Sequence, residues 1–409
     1  MTNLNAPVKK SERILSLDVL RGFALLGILI VNVQSFAMIG AAYNNPTAFG
    51  DFEGLNFLVW LITYVFFDSK MMAVFSLLFG AGICLMFERS QQQSGSSAWL
   101  HYRRMFWLLL FGLAHAHLLW YGDILFTYAV CGMIVYWCKR FTPFWLTFTG
   151  VLLLLVPAAL FAFFQLTIGY MPEEQVVQMT ADWTPNQKAI DTEVATYSGS
   201  WLTQMEYRPF VALMMETFIF GILFFWRASG MMLLGMALFK WKVLNASRST
   251  GFYVRMAAIG LGLGFSIIGY GVYFNLENEF AFNPTMFGGA LFNYVGSVFV
   301  ALGYVAVVML ACKHEVVTWF TRSLQAVGQL ALTNYLMQTI VCTTIFYGHG
   351  LGLFGSVSRS GQLAIVGSIW IAQLLLSPIW VKKFRFGPFE WLWRSLAYWK
   401  IQPMRRHST

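Results

Sequence analysis

Long apolar runs separated by short polar joints dominate this chain. Runs able to cross about 30 Å of hydrocarbon as a helix fall at 22–40, 55–87, 104–120, 123–138, 144–168, 209–239, 253–274, 288–311, 324–347 and 362–381. The pattern predicts an all-α protein, a polytopic membrane helix bundle of about ten transmembrane helices. The run 55–87 departs from the rest. As one helix its 33 residues would reach about 50 Å, which is too long, and Asp68-Ser69-Lys70 interrupts it.

The charges of the connections choose between one crossing and two. If 55–87 crosses once, most of the 27 basic residues gather on one side. Lys9, Lys10, Arg13 and Arg21 lead, Arg103, Arg104, Lys139, Arg140, Lys240, Lys242 and Lys313 follow, and the tail adds Lys382, Lys383 and Arg385. The opposite connections carry acids, among them Asp51, Glu53, Glu173, Glu174, Asp191 and Glu193. The positive-inside tendency makes the basic side cytoplasmic, so both termini are expected there. Residues 55–67 are then expected along the outer interface or steeply tilted, with 70–87 spanning.

The divisions that follow are a polar, disordered segment 1–14, a first transmembrane half 15–169 and an acidic outer connection 170–208 forming a loop or small helical cap. A second half 209–381 and an amphipathic cytoplasmic tail 382–409 complete the chain. Gly40-Ala41-Ala42 resembles a small-residue cleavage site, but the preceding apolar run exceeds the 7 to 15 residues of a signal peptide. It is read as a retained first helix. No internal repeat is visible.

Composition narrows the function classes. The chain is 58% hydrophobic and 11% charged, against roughly 45–50% and about 25% in soluble domains. Lipid must therefore cover much of its surface, and the bilayer is its first partner. The net charge of +9 is dispersed over the joints rather than gathered on a face that grips nucleic acid. The five cysteines have neither metal-ligand spacing nor a disulfide framework, and no metal site is expected. No P-loop, dinucleotide fingerprint, HExxH or GxSxG stands in context.

Ionisable and amide side chains inside apolar runs are costly and mark either sites or helix-packing bonds. Asp18 and Arg21 stand three apart on the first helix and are placed to pair at its inner mouth. Asn32 lies eleven residues further, about 16 Å deeper and within about 20° of the same face. A snorkelling cation and a helix-packing amide fit this spacing too. His115 and His117 point about 200° apart, so they cannot share a metal. A turn at Gly122 is placed to return Asp123 to His115, giving a general base with a fixed tautomer; a helix-bridging histidine is the plainer alternative. Glu216 and Arg227 share a run but lie about 16 Å apart. Arg227 needs an acid, a carbonyl or water, with Asp68 and Glu216 as the acids in view. Asn334 and Gln338, at i and i+4, make a polar stripe, and His349 sits in a Gly-His-Gly turn. Glu216, Arg227, Asn334, Gln338 and His349 are the candidates for a substrate path.

The stretch Arg13-Ile14-Leu15-Ser16-Leu17-Asp18-Val19-Leu20-Arg21-Gly22, followed by Asn32, resembles the opening of the YeiB family of bacterial inner-membrane proteins. So do Phe75-Ser76-Leu77-Leu78-Phe79-Gly80, Gly112 through His115 to Trp120 and Gly122-Asp123, Ala331-Leu332-Thr333-Asn334-Tyr335, and Gly387-Pro388-Phe389-Glu390-Trp391. The first helix is also similar to that of the heparan-glucosaminide N-acetyltransferases and the polysaccharide acyltransferases. That resemblance implies an inner-membrane location and transfer of an acyl group from cytoplasmic acyl-CoA to an outer acceptor, such as a saccharide. Asp18 and Arg21 would hold the CoA, Asn32 would position the acyl carbonyl, and His115 with Asp123 would activate the acceptor. Where the heparan enzymes carry a further histidine, this chain has Tyr43. A transporter of a small solute and a non-catalytic scaffold are the competing readings, and each is compatible with a homo-oligomer.

Overall fold

The computed structural model describes residues 14–92 and 97–406; the segment expected to be disordered falls almost wholly outside them. Among the described residues there is no strand, only an isolated antiparallel bridge between Phe384 and Arg405. Eighteen α-helices follow in order. The first seven are α1 Leu15–Ala37, α2 Ala41–Asn44, α3 Gly54–Ile62, α4 Lys70–Gln92, α5 Ser97–Leu118, α6 Leu125–Val135 and α7 Pro143–Thr167. The acidic connection forms α8 Glu173–Trp183, α9 Gln187–Ser198 and α10 Trp201–Met205. Then come α11 Arg208–Met214, α12 Phe225–Lys240, α13 Thr250–Glu277, α14 Ala290–Lys313, α15 Thr318–Gln329, α16 Ala331–Phe346, α17 Arg359–Lys383 and α18 Pro388–Tyr398. π-helical turns at Thr63–Phe67, Met215–Phe224 and Pro284–Gly289 precede α4, α12 and α14.

Seven stretches are long and apolar enough to cross a membrane: Leu15–Ala37, Gly54–Gln91, Pro143–Tyr170, Trp201–Lys240, Thr250–Glu277, Pro284–Lys313 and Arg359–Lys383. The other three expected crossings fall on α5, α6 and the α15–α16 pair. The 11 residues of α6 rise only about 16 Å, and α5 carries Arg103 and Arg104.

Two of the expected runs are interrupted. In the first, Val59, Trp60 and Thr63 share a small cleft with Ile30, Val33 and Gln34 of α1. The run beside α1 is thus one broken helix, interrupted where Ser69 adopts φ +63°. The run 324–347 is also broken, at Leu330 (φ −109°, ψ 30°). The Asn334 amide donates to the Val327 carbonyl at 3.2 Å, which satisfies an acceptor at that break.

α1 is the central element. Its closest crossing is with α15, where a Cβ on Gly22 would lie 2.0 Å from the Leu324 carbonyl oxygen and one on Gly328 1.9 Å from that of Asp18. Only glycine permits such backbone contact, the usual device for tight association in lipid, where apolar surface gives helices no preference for each other. Around α1, Met71 of α4 packs on Gly27, Tyr304 of α14 meets Phe23 edge-on at 5.5 Å, and Trp370 of α17 donates to the Leu26 carbonyl at 2.9 Å. α8 and α9 cover the end where α1 stops: Asn45 donates to the Trp183 carbonyl at 3.1 Å and Glu193 accepts from Gly40 N–H at 2.8 Å. At the other end the tail is docked. The Glu390 carboxylate of α18 accepts from Thr333 N–H at 2.9 Å and from its hydroxyl at 2.5 Å, and Trp393 donates to the Arg104 carbonyl at 2.9 Å. α18 therefore straps α16 to α5.

Candidate functional site

On α1, Asp18 and Arg21 form an ion pair at 2.9 Å. Most of α1 is buried; its half-exposed residues include Phe23, Val31 and Gln34 and, on a separate face, Arg21, Ile28, Asn32 and Ser35. At 100° per residue these four fall within an arc of about 60°. The arc points between the face that meets α4 (Gly27) and the face that meets α15 and Trp120 (Gly22, Phe36). α5 and α6 close that side of the bundle. α5 reaches α4 through Arg104 and Met86 and reaches α16 through His115 and Thr339, while Tyr128 of α6 stacks on Phe75 and Phe79. The strip therefore faces the side that α5 and α6 close. Leu25, on the edge of the same arc between Arg21 and Asn32, is 1% exposed.

The second set meets where α5 ends. Gly122 turns the chain, and Asp123 Oδ1 lies 2.8 Å from His115 Nδ1. The other carboxylate oxygen accepts from Phe126 N–H at 2.7 Å, in the first turn of α6. A Cβ on Gly112 would sit 2.4 Å from Phe126 N and 2.9 Å from Asp123 Oδ2, so glycine is required for α6 to start this close to α5. His115 Nε2 meets Thr339 Oγ1 of α16 at 2.9 Å, a partner that sequence reasoning missed because it arrives from more than two hundred residues away. The His115 and Asp123 side chains are only 1% and 2% exposed. Because the carboxylate only accepts, His115 Nδ1 donates to it, leaving the Nε2 lone pair toward the Thr339 hydroxyl.

The remaining candidates are placed differently from the expected path. Glu216 pairs with His117 at 3.0 Å, not with Arg227. Among the described residues Arg227 meets no acid directly: it donates to the carbonyls of Ser69 (3.1 Å) and Tyr294 (3.2 Å) and to the Ser297 hydroxyl (2.6 Å). Beside it, fully buried Lys70 donates to the Tyr64 carbonyl at 2.6 Å and to Asn293, whose amide donates on to Asp68. These cations supply hydrogen bonds to carbonyls around the break at Asp68–Ser69, which explains their position deep in the bundle. Asn334 and Gln338 bond to Ser377 and Gln373 of α17 and so join helices rather than line a space. His349 is exposed in the turn after α16, where burial and nearby Arg208 lower its basicity. Burial raises the Glu193 carboxyl against the opposing pull of its Gly40 bond.

Among the described residues, no group of three or more His, Cys, Asp or Glu side chains is arranged to hold a metal ion. A surface cavity of about 400 Å³, lined by Glu88, Lys139, Arg140 and Lys240 among others, contains none of the residues singled out above.

The chain is 32% identical over 388 residues to "Uncharacterized protein YeiB" of Escherichia coli (strain K12), covering 94% of this chain and 96% of that protein. The chain belongs to the YeiB family. It is likewise 32% identical over 422 residues to "Uncharacterized protein YxaH" of Bacillus subtilis (strain 168), covering 98% of each. A Bacillus acidopullulyticus protein described as "Uncharacterized 39.9 kDa protein in amylase 3'region" is 26% identical over 96% of both chains. Residues 238–400 match the family "Protein of unknown function (DUF418)", which spans α13 to α18 and therefore includes Thr339 and Glu390. No solved structure matches. The apolar helices and this membership make the chain a multi-pass membrane protein of the YeiB family.

Proposed function

We propose that this protein is an inner-membrane acyltransferase that takes an acyl group from cytoplasmic acyl-CoA and delivers it to an outer acceptor, a saccharide or another hydroxyl or amine compound. In this reading the chain crosses ten times with both termini cytoplasmic, the short α5, α6 and α15–α16 passing in the shelter of longer helices. One observation supports it: a half-exposed arc of α1 holds a guanidinium at one end and an amide about 16 Å deeper, on the side that α5 and α6 close. Arg21, steadied by Asp18, would meet the anionic CoA. Asn32 would donate to the acyl carbonyl, and His115, oriented by Asp123, would take a hydroxyl or amine proton.

The test is a titration of the purified protein in detergent with acetyl-CoA and CoA. Binding weakened tenfold or more by Arg21→Ala is expected; wild-type protein that binds neither ligand rejects the reading. One feature favours a transporter instead. Helices interrupted within the membrane often bound solute sites, and the Gly54–Gln91 run is interrupted beside buried Lys70 and Arg227. Solute uptake by vesicles, without CoA binding, would select that alternative.

A further inference from the structure

Asp123, His115 and Thr339 form a continuous line from carboxylate through imidazole to hydroxyl, at 2.8 and 2.9 Å. This is the order of groups that activates a hydroxyl nucleophile elsewhere in enzymology, recognised by geometry rather than by fold. A second observation points to a ligand at the same place. Trp120 Nε1 and the Tyr335 hydroxyl are buried without a hydrogen-bond partner, on side chains 2% and 5% exposed. Their rings lie 6.3 and 5.1 Å from the imidazole, centroid to centroid. Leaving buried polar groups unsatisfied costs about 1–3 kcal/mol each, so donors beside this relay call for an acceptor.

We propose that Thr339 carries the acyl group as a transient ester, an inference that rests on the acyl-transfer reading above. His115 Nε2 takes the Thr339 hydroxyl proton while Oγ1 attacks the thioester carbonyl carbon. The C–S bond breaks, the sulfur receives the proton from His115, and CoA leaves as its thiol. In the second half the acceptor hydroxyl or amine gives its proton to His115 as it attacks the ester carbonyl. The bond to Oγ1 breaks, and Thr339 recovers its proton from His115. Trp120 and Tyr335 hold the carbonyl oxygen as it becomes negative in both halves. The Phe36–Trp120 ring pair, 4.1 Å between centroids, joins this relay to α1.

The experiment incubates full-length protein in detergent with radiolabelled acetyl-CoA and no acceptor, then follows free CoA thiol, protein-bound label and its position by peptide mass mapping. Label on the peptide containing Thr339 is expected in wild type. It is retained in Thr339→Ser and lost in Thr339→Val, with melting temperatures confirming that both fold. Arg21-dependent binding with thioester turnover but no label at Thr339, or wild-type turnover by Thr339→Val, overturns the inference and leaves acyl transfer standing. Wild-type protein that does not bind acetyl-CoA removes the transfer reading and the inference together.

Discussion

Two buried polar clusters in this bundle are built from comparably costly groups and differ in how fully those groups are satisfied. Around the Asp68–Ser69 break, Lys70 and Arg227 donate into carbonyls, a hydroxyl and the Asn293 amide oxygen. Around His115, by contrast, Trp120 and Tyr335 retain polar groups with no partner. Burial of charge alone does not separate a site from a brace. The decisive feature is whether the helix break nearby accounts for the bonds, and for Arg227 it does, while nothing in the backbone near Thr339 calls for two unmatched donors.

That contrast is open to direct attack. Arg227→Ala should be the most damaging change, about 3–5 kcal/mol, because it abandons several buried acceptors; a thermal unfolding midpoint in detergent close to wild type would dissolve the distinction. Gly112→Ala comes next, at about 1–3 kcal/mol of overpacking, since its Cβ would press on Phe126 N and Asp123. It should also separate Asp123 from His115, visible as a changed imidazole signal in NMR of histidine-labelled protein. Smaller still is the effect at Glu390. Burial raises its carboxyl above the ordinary 4.5, so the folded protein holds that proton more tightly than the unfolded chain. Its contribution to stability must then fall as pH climbs from 4.5 into the raised range, and Glu390→Gln should flatten that part of a melting-temperature profile. His117→Ala should matter least. Its ring is 31% exposed, a setting in which ion pairs contribute about 1 kcal/mol or less, and a large loss of stability there would show that position along α5, rather than closure, governs these histidines.

Much of this architecture was legible in the chain because hydrophobic length reports directly on burial in lipid. The Asp18–Arg21 pair and the return of Asp123 to His115 were legible for a related reason: each lies within eleven residues, where helical rise and one glycine turn leave few alternatives. Contacts between distant helices left no such trace. Thr339, Asn293 and Ser297 look like ordinary packing residues until α16 and α14 are placed. The stripe of Asn334 and Gln338 was visible, but its partners on α17 were not, and without them a helix-joining amide looks the same as one lining a path. The break at Leu330 was hidden because neither a proline nor a charge marks it, only a polar amide that bonds back to a carbonyl before it.

The burial of Leu25 carries its own consequence. A ligand arm long enough to touch both Arg21 and Asn32 must pass Leu25, on a helix that Gly22 and Gly328 clamp against its neighbour. Since that side is held by backbone against backbone, any yielding has to come from across the bundle, where α5 is tied to α16 by the tail helix. Whatever loosens the C-terminal strap would thereby govern how far α5 can give way before α1.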